Sequence, residues 1–228
     1  MDNNITDLFF DLDHTLWDFD TNSTLAFTKV LQDYNIPIHL DDFLSVFRPI
    51  DKAYWDDYSY NKVSIEQLKL GRFYDTFKLL STSFNKIEIE MFANSYMQEL
   101  IENNLLFEDA IPTLEYLHTK YRMHIITNGF TAEQAVKINR SGLTNFFKTV
   151  TTSDELGIKK PDPEIFNHAM NKAKTQAIKA VMIGDNYDAD ILGAENVGMN
   201  VVHYDYHKQE IPDKYKQIKT LSELKELL

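Results

Sequence analysis

Four short polar segments, read at the ends of predicted strands and in one fixed order, constrain this chain more than any bulk property. They are Asp11-Leu12-Asp13-His14-Thr15, Thr127-Asn128-Gly129, Lys160-Pro161 and Gly184-Asp185-Asn186-Tyr187-Asp188-Ala189-Asp190. Together they supply carboxylates, a hydroxyl and an ammonium. That inventory can hold one divalent cation and one phosphoryl group beside a carboxylate nucleophile.

The apolar runs before these segments read as strands buried on both faces. Leu8-Phe9-Phe10 is the first, and residues 123–126, 147–151, 180–183 and 199–202 resemble it. Helical patterns separate them. One opens at Thr131 with Gln134 as a capping box and closes at Gly142; another starts at Asp162-Pro163-Glu164; a third runs from Asp188 to Gly198. Strands alternating with helices predict an α/β fold with a doubly wound parallel sheet. Residues 17–105 break the rhythm. Capping-box patterns at Ser64/Gln67 and Asn85/Glu88, and helices near 21–34 and 41–57, occur with no strand signal between them. The expected organisation is a core of residues 1–16 and 106–228 with an all-helical cap inserted at 17–105.

The formal charge is −12, from 23 basic and 35 acidic side chains, a sign that repels nucleic-acid polymers. The expected partner is a small phosphorylated metabolite, bound where a metal ion and a buried lysine supply local positive charge. No apolar run reaches the roughly 20 residues of a membrane helix. A polar start and the absence of cysteine give a cytoplasmic location as the expectation. A monomer or weak homodimer is expected.

Ligands of a parallel sheet bind at the carboxyl ends of its strands. Asp11 stands at such an end and Asp13 two residues beyond, so one carboxylate can attack phosphorus while the other handles the leaving-group proton. Asp185 joins them if strands 8–10 and 180–183 are neighbours, and two or three acidic oxygens suit Mg²⁺. Asp188 reads as a helix cap; Asp190 is either a second cap or a partner aimed back at Lys160. Thr127 and Asn128 precede a helix start, as an anion cradle or as an ordinary β-to-α turn. Proline after Lys160 fixes its loop, whereas Lys159 reads as a solvated lysine.

These residues resemble the haloacid dehalogenase-like phosphohydrolases over the whole chain, with all four motifs in order. The resemblance implies a phosphatase with a C1-type helical cap. It makes Asp11 the nucleophile, Asp13 the acid/base, Lys160 the charge-neutralising catalytic lysine, and Thr127 with Asn128 the phosphate-binding groups. It also implies Mg²⁺ held by Asp11, the main-chain carbonyl of Asp13 and Asp185, with Asp190 as an orienting partner. His14 stands where many members have glycine. The run Asp-Leu-Asp-His-Thr-Leu-Trp-Asp-Phe-Asp is similar to bacterial 5′-nucleotidases active on pyrimidine nucleoside monophosphates.

The expected reaction is therefore phosphate monoester hydrolysis through an aspartyl phosphate. A carboxyl pKa raised by burial beside other carboxylates is expected to let Asp13 act as the acid. A sugar phosphomutase of the β-phosphoglucomutase kind and a phosphoglycolate-type phosphatase are the alternatives within this chemistry. A non-catalytic phosphometabolite-binding protein is the alternative outside it. Trp17 and Phe19, next to the catalytic loop, are the candidate substrate contacts. Of the other cap aromatics, Tyr54, Trp55, Tyr58, Tyr60, Phe73, Tyr74 and Phe77, most read as the cap's own core, while some could stack on a base.

Overall fold

The structure, a computed structural model, describes residues 4–82 and 84–228. Six strands form one sheet: β1 (Asp7–Phe10), β2 (Arg122–Thr127), β3 (Phe147–Thr152), β4 (Ala180–Gly184), β5 (Asn200–Tyr204) and β6 (Lys216–Ile218). Their order is β3-β2-β1-β4-β5-β6, and every neighbouring pair is parallel. This is the doubly wound α/β sheet that the alternating runs predict. The edge strand β6 has no counterpart in those runs. Only Ile218 of Lys216-Gln217-Ile218 is buried, so an edge position leaves no apolar run to read.

The strand order reverses between β1 and β4, the switch point where a doubly wound sheet opens a crevice. Phe10 pairs with Ile125 on one side and Ile183 on the other, and the Asp11 amide donates to the Ile183 carbonyl at 2.9 Å. That register brings the residues following β1, β2 and β4 to one end of the sheet. Phe9, Ile126 and Met182 from these strands pack with Ile165 and Phe166 in a fully buried cluster.

The chain divides into two compact units, one of Asp20–Asn103 and the other reaching Phe19 and resuming at Asn104. Trp17 stays with the sheet unit because its backbone bridges to Asp13 and to Leu106. The helical unit holds most of α1 (Phe19–Asp33), then α2 (Leu40–Ser59), α3 (Arg72–Leu79), preceded by a π-helical turn at Gln67–Gly71, and α4 (Lys86–Glu102). Ser64 and Gln67 exchange reciprocal bonds, and Asn85 and Glu88 form a complete capping box at α4. Phe27 is the hub of its core, with ring centroids 4.8 Å from Phe43, 4.7 Å from Phe47 and 4.1 Å from Tyr96. Tyr58, Phe73 and Phe77 are buried, whereas Tyr60 and Tyr74 are exposed.

The sheet unit adds α5 (Ala110–His118), α6 (Thr131–Arg140), the single turn α7 (Ser153–Leu156) and α8 (Pro163–Ala173). Asp162 caps α8 by accepting from the Glu164 amide, with proline in the first turn. After β4 a π-helical segment, Tyr187–Leu192, runs into α9 (Gly193–Asn196), and Gly198 ends it with φ 84°.

Candidate active site

The loop after β1 is wound tightly by its own backbone. Leu16 and Trp17 amides both donate to the Leu12 carbonyl at 2.9 Å, and the His14 amide donates to Trp17 O at 3.0 Å. His14 adopts a left-handed backbone, φ 62°, which explains why glycine would be comfortable at this position. Asp11, at the root of the loop, is buried.

Lys160 points its ammonium at three acceptors: Asp11 Oδ1 and Asp190 Oδ1 at 2.6 Å each, and the Ile126 carbonyl at 2.9 Å. All three ammonium protons are thereby placed. Burial disfavours its charge, but Asp11 and Asp190 outweigh that and hold the ammonium well above the ordinary lysine range. Asn128 clamps the Lys160 backbone from both sides. Its Nδ2 donates to Lys160 O at 3.0 Å, and its Oδ1 accepts from Lys160 N at 2.8 Å. Lys159, expected to be solvated, is only 9% exposed, and burial lowers its pKa.

Asp185 follows β4. Its Oδ1 accepts from the Thr15 hydroxyl at 2.9 Å, its Oδ2 lies 2.9 Å from His207 Nε2, and its main-chain oxygen lies 2.9 Å from His203 Nε2. Asp190 Oδ2 accepts from the Asn186 amide at 3.1 Å. The Asp190 carboxylate packs so closely over Gly184 that any Cβ there would strike it. The capping role read for Asp188 belongs to Asn186, whose side chain accepts from Ala189 N at 2.9 Å. Asp188 itself is exposed.

Carboxylate oxygens of Asp11, Asp185 and Asp190 all lie within 4.8 Å of one another. Three buried acids surround one ammonium, so negative charge is in excess. Burial first, and the neighbouring charges of Asp190 and Asp185 with it, push the Asp11 carboxyl well above its usual range despite Lys160. A cation would relieve that excess, and an all-oxygen donor set suits a hard ion such as Mg²⁺. The residues therefore fit a divalent metal. A second set, His14, Asp185 and His207, has its donor atoms within 4.8 Å and shares Asp185. Its imidazole nitrogens match softer ions.

The Asp13 side chain turns away from this cluster. Its Oδ1 accepts from Lys137 Nζ at 2.6 Å and its Oδ2 from Gln134 Nε2 at 2.9 Å. The same Gln134 amide reaches Thr127 Oγ1 at 2.8 Å, and Thr127 Oγ1 also accepts from the Gly129 amide at 3.1 Å. Asp13 thus has an ammonium and an amide as neighbours, not the carboxylates expected. The capping box read at Thr131 and Gln134 is also absent. Phe130 precedes α6 without a side-chain cap, Gln134 is drawn to Asp13, and the Thr131 hydroxyl goes to Asp154 at 2.6 Å. A signal for Gln134 and Lys137 was present: polar residues spaced i, i+3 beside Ile138, on a face that should be apolar.

Trp17 is fully buried, its ring 4.2 Å beneath the Lys137 ammonium, with Phe19 at 5.4 Å from the same nitrogen. Phe19 keeps partial exposure and lies 4.9 Å from the His14 ring.

Residues 8–204 match the family model described as haloacid dehalogenase-like hydrolase. The chain is 32% identical over 221 residues to pyrimidine 5′-nucleotidase YjjG of Escherichia coli, covering 96% of this chain and 95% of that protein. It is 31% identical to pyrimidine 5′-nucleotidase PynA of Streptococcus pneumoniae, over 89% of this chain and 85% of that one. Its fold is similar to the magnesium-bound crystal structure of HAD-hydrolase YfnB from Bacillus subtilis, with a TM-score of 0.91, 26% identity and 99% of each chain covered. With a match over most of its length and the four motifs assembled at one sheet end, the protein belongs to the haloacid dehalogenase-like hydrolase family.

Proposed function

We propose that this phosphoric monoester hydrolase removes phosphate from pyrimidine nucleoside 5′-monophosphates, with Asp11 as nucleophile and Mg²⁺ as cofactor. The observation that carries the reading is the pairing of Asp11, held at 2.6 Å by Lys160, with a second aspartate, Asp13, on the same loop. A binding protein needs no such pair, and a dehalogenase has no leaving alkoxide for the second one to protonate. The substrate class rests on the two nucleotidase relatives and on the sequence that follows Asp11.

Asp11 Oδ attacks phosphorus in line, forming an acyl phosphate as the P–O bond to the nucleoside breaks. Lys160 and the Thr127 hydroxyl face the phosphoryl oxygens, where charge spreads in the transition state. Asp13 gives its proton to the leaving 5′-oxygen, a contribution typically worth about 10²–10⁴-fold in rate. Water then attacks the acyl phosphate, and Asp13 takes up its proton. A divalent ion, held by Asp11, the Asp13 carbonyl and Asp185, would supply charge that offsets the repulsion between phosphate and these acids.

The test is phosphate release by the purified protein with Mg²⁺ from nucleoside monophosphates, hexose phosphates and small phosphorylated acids. Preference for uridylate or thymidylate is expected, and Asp11→Asn should lose about 10⁴-fold or more in kcat. Isomerisation of a hexose phosphate, or near-wild-type turnover by Asp11→Asn, would overturn the proposal.

A further inference from the structure

Lys137 is a buried charged group beside the site that the four motifs leave unused. Its side chain is 5% exposed, paired at 2.6 Å with Asp13 Oδ1, and it lies over the Trp17 ring at 4.2 Å. An ammonium withdrawn this far from water is costly unless its partner is held rigidly. Gln134, one helical turn earlier on α6, meets the other oxygen of the same carboxylate. Each Asp13 oxygen thus receives one donor from one face of one helix. An apolar pair would fill this face of α6 at lower desolvation cost, so packing alone does not account for the two residues.

The amide of Gln134 also determines what Thr127 can do. Its two protons go to Asp13 Oδ2 and Thr127 Oγ1. The Thr127 oxygen accepts a second bond from the Gly129 amide, so both of its lone pairs are occupied. Its own hydrogen is then left to donate outward, the polarity an anionic phosphoryl oxygen requires. Gly129 allows this approach because a Cβ there would collide with the Gln134 amide.

We propose that Gln134 and Lys137 are positioning residues, a clamp that fixes Asp13 for proton transfer and directs the Thr127 hydroxyl toward the substrate phosphate. The inference rests on the phosphomonoesterase reading and adds two residues to it. Lys137 bonds Asp13 and lies against the Trp17 ring, with no contact to Thr127, so its loss is felt in turnover. Gln134 touches both Asp13 and Thr127, so its loss is felt in turnover and in phosphate affinity. Neither touches the phosphorus.

The experiment compares wild-type protein with Lys137→Met, Lys137→Arg and Gln134→Leu, using uridylate and the activated ester p-nitrophenyl phosphate, with inorganic phosphate as inhibitor. For uridylate, Lys137→Met should lower kcat about 10–100-fold with KM within about 2-fold. Lys137→Arg, which keeps the donor, should recover most of that loss. With p-nitrophenyl phosphate the leaving group needs no proton, so dephosphorylation limits turnover and Lys137→Met should show a burst of p-nitrophenol. Gln134→Leu should lower kcat and also weaken inhibition by phosphate about 5–20-fold, whereas Lys137→Met should leave that inhibition unchanged. If Lys137→Met does not fold, Lys137→Leu, which also lacks a donor, gives the same reading. Unchanged kcat in Lys137→Met, equal loss in Lys137→Arg, or unchanged phosphate inhibition in Gln134→Leu would overturn the clamp alone. A wild-type protein that releases phosphate from no monoester would overturn both the clamp and the reading beneath it.

Discussion

Lys160 and Asp190 form an ion pair of 2.6 Å in which the side chains are 3% and 1% exposed. At that burial the pair is defined by what happens when one charge is removed. Asp190→Asn leaves Lys160 with Asp11 as its remaining carboxylate partner, and the ammonium is expected to shift toward it and hinder the attack proposed for Asp11. A loss of about 10–100-fold in kcat is expected, with a stability loss of about 3 kcal/mol, the usual cost of breaking a buried pair. Steady-state kinetics and urea unfolding of the purified variant measure the two quantities. Wild-type kcat in a folded Asp190→Asn protein would remove Asp190 from the site.

Gly184→Ala offers an independent approach to the same pair without removing a functional group. The added methyl would fall on the Asp190 carboxylate and force it away from Lys160. Its kinetic defect should resemble that of Asp190→Asn, and combining the two substitutions should cost little more than either alone, because they act on one contact. Additive losses in a double-mutant cycle would show that Gly184 matters for another reason.

His207 lies 2.9 Å from Asp185 Oδ2 and aims that carboxylate at the sheet end. In the proposed reading Asp185 holds Mg²⁺, and loss of such an orienting partner typically weakens metal affinity about 10–100-fold. His207→Ala is therefore expected to raise the Mg²⁺ concentration giving half-maximal activity by that factor, with kcat at saturating metal nearly unchanged. Titration of metal-stripped protein with MgCl₂ makes the comparison. An unchanged half-saturation point would assign His207 to the loop alone.

The fold and most of the site were legible because they depend on local, repetitive signals. Buried parallel strands such as Leu8-Phe9-Phe10 must be nearly all apolar, and polar residues at their ends stand out. The adjacency of Asp11 and Asp185 also followed once strands 8–10 and 180–183 were taken as neighbours, and the Phe10–Ile183 register supplies it. What escaped depends on tertiary choice. Gln134 suits a capping box as well as it suits Asp13, and only the packing of α6 decides between them. Lys137 interrupts the apolar face of α6, but what it pairs with shows only when Trp17 and Asp13 are brought from more than a hundred residues away. The edge strand β6 has too little burial to leave a pattern. His14 was visible as a departure, but its physical meaning, a left-handed backbone, lies in a dihedral that composition does not encode.

At the opposite end of the sheet, Asp7 and His124 face each other across β1 and β2, with His124 Nε2 3.1 Å from Asp7 Oδ1. Burial lowers the His124 pKa, although Asp7 pulls it the other way, and the ring stacks on Phe9 at 4.7 Å. Burial would raise the Asp7 pKa, but donors from Thr6, Thr175, Arg122 and His124 outweigh it and hold the carboxyl below its ordinary range. Both groups therefore bind protons less readily in the folded chain than in the unfolded one. Each contributes stability above its unfolded pKa that is lost as pH falls, His124 first, from about pH 6.5 downward, and Asp7 below about pH 4. The melting temperature of the wild-type protein is expected to fall between pH 7 and 5 and to fall further below pH 4. In His124→Gln the first decline should flatten while the second persists. Calorimetric scans in matched buffers read both, and an equal pH 5–7 slope in the variant would show that other groups carry the acid sensitivity.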